Sequence, residues 1–359
     1  MRIAVTNHHR QLTGGTESYL AGILPELERA GHHVCLFHEA PLAPAAPSIP
    51  TQNHSMDFGT LRAFRPAVIF NHGLQSPATE HSLADLAPVV HFAHNYHGTC
   101  ISGEKTHKFP APTPCQRTLG LPCLAHYFPH RCGGLNPLVM LREYGTQSAR
   151  LGALRRVTAI VTASRHMQAE YLRHQLSPVH CVPLFVTPPE LQHQGGQGLL
   201  FAGRMTAIKG ARYLALAARD LDIGLTFAGD GPERTSLQRL CPNARFPGWL
   251  AQHELRALAL AHDVFVMPSL WPEPFGLAGL ELGLPVAAFT VGGIPDWLTD
   301  GENGYLAPAN PPTPAGLRLA ILACLGNPAL GPAALARAKE FTLARHFAAL
   351  MPILESAAR

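Results

Sequence analysis

Two carboxylates and two basic side chains carry most of the chemistry in the second half of this 359-residue chain. In "WPEPFGLAGLELGLP" (271–285), Glu273 stands between two prolines and Glu281 follows eight residues later. Ionised carboxylates only accept hydrogen bonds, so each can hold a pair of neighbouring hydroxyls. The bland alternative is a stiff turn, then a core helix with one solvated acid. Gly276 opens the helix expected over 276–283, which leaves the N–H groups of Phe275, Gly276 and Leu277 without helical partners. Upstream, "FAGRMTAIKG" puts Arg204 behind the glycine that ends an apolar run, and Lys209 five residues on at a helix start. Fixed cations beside a helix N-terminus suit a diphosphate. "AGDGPE" adds Gly229, Asp230 and Gly231, a tight turn that lets backbone come close to a ligand. A nucleotide sugar, with one diol on the hexose and one on the ribose, would use all of these groups.

Such groups need strands that end beside them. Short β-rich runs alternate with helical periodicity through the chain, the mark of parallel sheets with crossover helices. "RIAVT", "HVCLF", "AVIFN", "VVHFAH" and "VTAIVTAS" read as strands of a first half, with a helix from Thr16 to Gly31. "GLLFAG", "GLTFAG", "ARFPG", "DVFVMPS" and "PVAAF" repeat the pattern in a second half. The expected fold class is α/β, two Rossmann-like doubly wound domains facing across a cleft. Expected boundaries are 1–185 for the first domain, 186–197 for a linker, 198–340 for the second domain, and 341–359 for a closing helix. Apolar residues at 343, 347, 350 and 354 make that helix one-sided. Ligands in such sheets collect beyond the carboxyl ends of the strands.

Composition narrows the partners. Hydrophobic residues make up 47% and charged residues 14%, ample for a core. The net charge of +4 is too small to argue for nucleic acid. Residues 1–193 hold 15 Lys and Arg against 11 Asp and Glu, and 18 of the 21 histidines, so an anionic partner or a peripheral membrane contact would meet that half. No run reaches the ~18 apolar residues of a membrane span, and the start is unlike a signal peptide. The expectation is a cytoplasmic protein. The G-x-G-x-x-G of a dehydrogenase is missing after the first strand. An irregular insert, 98–135, carries Cys100, Cys115, Cys123 and Cys132 at separations of 14, 7 and 8 residues. Four thiols are able to bind a structural zinc, although these spacings match no standard zinc motif. A packed lid, or disulfides, is the alternative.

"GRMTAIKG", "AGDGP", "FPGW", "PSLWPEPFGLAGLELGLPVAA" and "GGIPDWLTDGENGYL" follow one another in the second half, and "LTGGTESYL" precedes the first long helix. Together they resemble the retaining GT-B glycosyltransferases of family 4, the glycosyl transferases group 1. The likeness is strong over 198–306, weaker over 1–40 and 158–175, and absent over 98–135. It implies transfer of a hexosyl group from a UDP- or GDP-sugar to a glycan, lipid-linked or small-molecule acceptor. Arg204 and Lys209 would neutralise the donor diphosphate, Glu281 would hold the ribose, and Glu273 would face the sugar with Phe275, Gly276 and Leu277. Gly229, Asp230 and Gly231 would line the donor site, as would Gly248, Trp249 and Leu250 near the base. Gly14 and Gly15 would bring the first domain close to the phosphates, and the last helix would cross back onto that domain. His94, after the fourth strand, would position the sugar and stabilise charge, and the insert that follows it would overhang the acceptor side. Cations and helix ends would make a metal unnecessary for catalysis. Asp296 replaces the family's usual glutamate at a position expected to be structural, and "ELGLP" replaces an alanine-rich helix. A sugar-nucleotide epimerase of the same fold and a non-catalytic nucleotide-sugar binder are the competing readings.

Overall fold

The computed structural model describes residues 1–12, 14–41, 47–188, 196 and 198–359. Most of the expected linker, 189–195 and 197, lies outside the described residues. The apolar runs form β1 (Arg2–Asn7), β2 (His33–His38), β3 (Asn53–Ser55), β4 (Val68–Asn71) and β5 (Val89–Ala93). A short antiparallel hairpin, β6 (Thr106–His107) and β7 (Thr113–Pro114), stands apart in the insert. β8 (Ala159–Thr162) and β9 (Val179–Cys181) complete the first sheet, in the order β3-β2-β1-β4-β5-β8-β9 with every pairing parallel.

The second sheet contains β10 (Leu199–Ala202), β11 (Leu225–Ala228), β12 (Arg245–Gly248), β13 (Val264–Met267), β14 (Val286–Phe289) and β15 (Gly304–Ala307). Its order is β12-β11-β10-β13-β14-β15, again wholly parallel. Central strands such as β4, β8, β13 and β14 are buried along their whole length, as a sheet covered on both faces requires. Strand order reverses between β1 and β4 in the first sheet and between β10 and β13 in the second. Those two switch points open the crevices where ligands bind in this architecture.

The helix Gly15–Arg29 buries Tyr19, Leu20, Ile23, Leu24 and Leu27, and the chain turns out of it at Gly31, whose φ is +83°. The closing helix, Leu343–Ala357, packs on Gly15–Arg29 and on β4 and β5. Its fully buried residues are His346, Leu350, Met351, Leu354 and Ala357. Leu343 and Phe347, expected on the buried stripe, are only partly covered. His346 joins the buried stripe, its ring bonded to the Tyr19 hydroxyl and to Pro183 O.

The helix expected over 276–283 is a single turn, Ala278–Glu281. Gly276 (φ +88°) and Gly283 (φ +62°) bracket it in the left-handed region, which a right-handed helix cannot pass through. The insert is anchored on the helix Arg165–Arg173 by the buried Lys105–Glu170 ion pair, and its Cys100 and Leu119 share an apolar cluster with Trp271 at the cleft.

Candidate active site at the interdomain cleft

A cavity of about 370 Å3 lies where the two switch points meet, within the size range of small-molecule sites. The first half contributes Gly15, Thr16 and His94; the second contributes Gly203, Lys209, Trp271, Glu273 and Phe275 to Leu277. None of residues 98–135 lines it.

Lys209 Nζ donates to Glu273 Oε1 at 2.6 Å, and Ser269 Oγ donates to the same oxygen at 2.5 Å. The Lys209 ammonium also stands 5.0 Å from the centroid of the Trp271 ring, a cation–π distance. Separate partners were expected for these two charges, and the structure pairs them with each other. Lys209 ends a 3-10 turn after β10, Glu273 follows β13, and β10 lies beside β13 in the sheet. The ammonium keeps two further N–H donors for a ligand.

Glu273 is 4% exposed and held by its backbone as well as its side chain. Its carbonyl accepts from Gly293 N–H at 2.7 Å. Gly292 has φ +56°, and a Cβ there would stand 2.3 Å from that carbonyl oxygen. Trp297, wholly buried, donates from Nε1 to Phe275 O at 2.7 Å. A Cβ on Gly279 would lie 2.1 Å from its ring. Trp297 escaped the sequence analysis; its signal was bulk set next to the glycine turns it fills. The N–H groups of Phe275, Gly276 and Leu277 donate to no backbone or side-chain acceptor among the described residues.

His94 shares a 2.8 Å hydrogen bond, through Nε2, with Nδ1 of His72. Its ring stacks on Phe92 with centroids 4.8 Å apart. Tyr19, 5.6 Å from the His94 ring, bonds through its hydroxyl to His346 Nε2 at 2.8 Å, and His346 Nδ1 donates to Pro183 O at 2.7 Å. Burial, then His346, holds the His94 pKa down to about 3. Burial holds His91 down to about 3, with His94 next, and His346 down to about 4 against its bond to Pro183. It also lowers His72 well below the ordinary value. His94 is therefore neutral at pH 7. In that form it can orient a hydroxyl through a ring nitrogen. His72, Tyr19 and His346 were not anticipated. The one available signal was that His72 directly follows a strand bordering the switch point.

The other expected residues do not line this cavity. Arg204 is exposed beside Gly203, which does line it. Gly14 caps the helix Gly15–Arg29 in extended backbone. Gly229 and Gly231 pack loops together: a Cβ on the first would stand 2.1 Å from Gly203 O, and on the second 2.6 Å from Met205 O. Asp230 ion-pairs with Arg234 at 3.2 Å. Gly248 accepts from Gly229 N–H at 2.7 Å, Trp249 is 75% exposed, and Leu250 packs at the core's edge. Glu281 accepts from Gln252 Nε2 at 3.3 Å; burial raises its pKa while Arg256 opposes. Asp296 Oδ2 accepts the N–H of Arg165 at 2.6 Å, where the helix Arg165–Arg173 begins in the other half. A Cβ on nearby Gly293 would stand 2.6 Å from Ser164 Cβ, so the halves touch closely here.

Residues 196–327 match the family described as glycosyl transferases group 1. Over 167 residues the chain is 34% identical to the D-inositol 3-phosphate glycosyltransferase of Pseudarthrobacter chlorophenolicus, covering 39% of this chain and 40% of that one. Over 109 residues it is 38% identical to the GDP-mannose-dependent alpha-mannosyltransferase of Corynebacterium glutamicum, covering 30% of this chain and 26% of that one. These matched stretches span less than half the length of either relative. Anabaena HepE, solved in complex with UDP and glucose, shares the fold with a TM-score of 0.65 at 17% identity, over 99% of this chain and all of that one. Residues 196–327 thus resemble the glycosyl transferases group 1 family, and the chain as a whole has the GT-B fold.

Proposed function

We propose that the chain is a retaining glycosyltransferase that moves a hexosyl group from a UDP- or GDP-sugar to a hydroxyl of a glycan, lipid-linked or small-molecule acceptor. The observation that carries this is the Lys209–Glu273 pair sharing one cavity with His94 at the two switch points. The names of the relatives, one GDP-mannose-dependent, and the UDP in the HepE structure support a nucleotide-diphosphate donor.

In the proposed reaction the bond from the anomeric carbon to the diphosphate oxygen breaks, and its electron pair leaves with the diphosphate. The acceptor oxygen bonds to the same face of that carbon, and its proton passes to the departing phosphate. Lys209, Arg204 at the rim and the free N–H groups of 275–277 offset the charge that develops there, without a metal ion. Neutral His94 and the carboxylate of Glu273 orient the sugar hydroxyls. Glu281 takes the ribose, the Gly229–Gly231 turn follows the donor, residues 248–250 border the base, and Gly14 and Gly15 bring backbone to the phosphates.

A panel of nucleotide sugars, assayed for hydrolysis and transfer with calorimetry alongside, tests the proposal. One UDP- or GDP-sugar is expected to turn over, and Lys209→Ala to lower turnover by about 10²–10³-fold. Tight binding without turnover, or conversion of the sugar with no nucleotide released, would overturn it in favour of a binding protein or an epimerase.

A further inference from the structure

The insert 98–135 contains little regular structure: the two-residue strands β6 and β7 and the helix Pro122–Tyr127. Its own apolar cluster is small, around Ile101, Tyr127 and Cys132, while Cys100 and Leu119 pack into the edge of the first domain's core. The segment is nevertheless tied to its neighbours. Buried Lys105 is ion-paired with buried Glu170, Leu119 N–H donates to His174 Nε2 at 2.9 Å, and Arg173 donates to Gln116 O at 3.0 Å. These anchors hold the rim next to the helix Arg165–Arg173 and leave the interior of the insert without a comparable core.

That interior is where the cysteines meet. Although 14, 7 and 8 residues separate them in the chain, Cys100, Cys115, Cys123 and Cys132 line one void of about 20 Å3. A void of that size holds a single water-sized body. All four thiols are free. Lys105 and Arg117 line the same void.

We propose that this void is a structural Zn2+ site whose four ligands are the thiolates of Cys100, Cys115, Cys123 and Cys132. Four sulfur ligands in tetrahedral array are the preferred shell of zinc, and a staple is what a segment without a core of its own requires. Binding replaces four S–H bonds with four Zn–S bonds and releases four protons to solvent. Arg117 faces the resulting dianionic centre, and Lys105, already paired with Glu170, stands beside it. As they stand, no three His, Cys, Asp or Glu side chains among the described residues are set to hold a metal. Two of the thiols are turned to backbone oxygens instead, Cys123 Sγ to Thr118 O at 3.7 Å and Cys132 Sγ to His126 O at 3.9 Å. A thiol is a weak donor, so rotating these sulfurs into the void gives up little.

The test is elemental analysis of the full chain, purified without chelator and without a metal-affinity step. About one zinc per chain is expected, with the four thiols unreactive until a strong chelator removes the metal and lowers the melting temperature by several degrees. Half-buried Cys123→Ser and Cys115→Ser should each lose most of the zinc, whereas Cys181→Ser, outside the insert, should keep it. Since any ligand variant could misfold, reduced and chelated wild-type chain is also titrated with zinc chloride and should take up one equivalent. Failure to take up zinc, disulfides among the four cysteines, or iron in place of zinc would overturn the proposal.

Discussion

At neutral pH the imidazoles of His91, His94 and His346 are uncharged, because burial holds their pKa values to about 3, 3 and 4. An unfolded histidine titrates near 6.5, so above that pH neither state binds a proton and these groups leave stability unchanged. As pH falls below 6.5 the unfolded chain takes up protons that the folded chain refuses, and stability declines until the folded values are reached. Each of the three should cost on the order of 1–2 kcal/mol by pH 5. Urea midpoints measured from pH 7.5 to pH 5 should therefore fall steadily, and His94→Asn should flatten the slope by close to one proton. A profile flat over that range would contradict the buried, neutral network.

The elements around the cavity are shaped by turns rather than by long helices. Gly31 and Gly292 make a direct comparison, since both lie at positive φ. A Cβ on Gly31 meets nothing within 4 Å, so Gly31→Ala should cost only the backbone strain, about 1 kcal/mol. A Cβ on Gly292 would strike the backbone of Glu273. Gly292→Ala should cost about 3 kcal/mol or more and move the carboxylate off Lys209, lowering turnover well over 10-fold. Equal denaturation midpoints and equal rates for the two variants would show that the glycine turn does not position Glu273. The sequence could place glycines here, since turns are written in local residue types. It could not show that one of them supports a carboxylate nineteen positions earlier.

At the scale of the whole molecule, the two halves are joined by the closing helix and by a few close contacts beside the cavity. Asp296 takes a backbone N–H at the first turn of a helix in the other half, where the helix dipole favours an anion. Asp296→Ala should cost about 1–2 kcal/mol and, by small-angle scattering, slightly expand the molecule, while Asp296→Asn should retain most of the bond. An unchanged scattering profile and midpoint in the alanine variant would remove Asp296 from the interdomain contact.

Local residue patterns alone determined a great deal: two rounds of alternating strand and helix, the parallel α/β class, and the glycine and proline turns at strand ends. These depend on short-range periodicity and backbone preference, which a single chain carries openly. Only the folded structure decided that Lys209 and Glu273, 64 residues apart, satisfy one another, that His346 from the last helix completes the surroundings of His94, and that four scattered cysteines line one void. Such meetings depend on strand order and on which loops leave neighbouring strands. Periodicity sets the type of an element; the sheet sets what stands beside it.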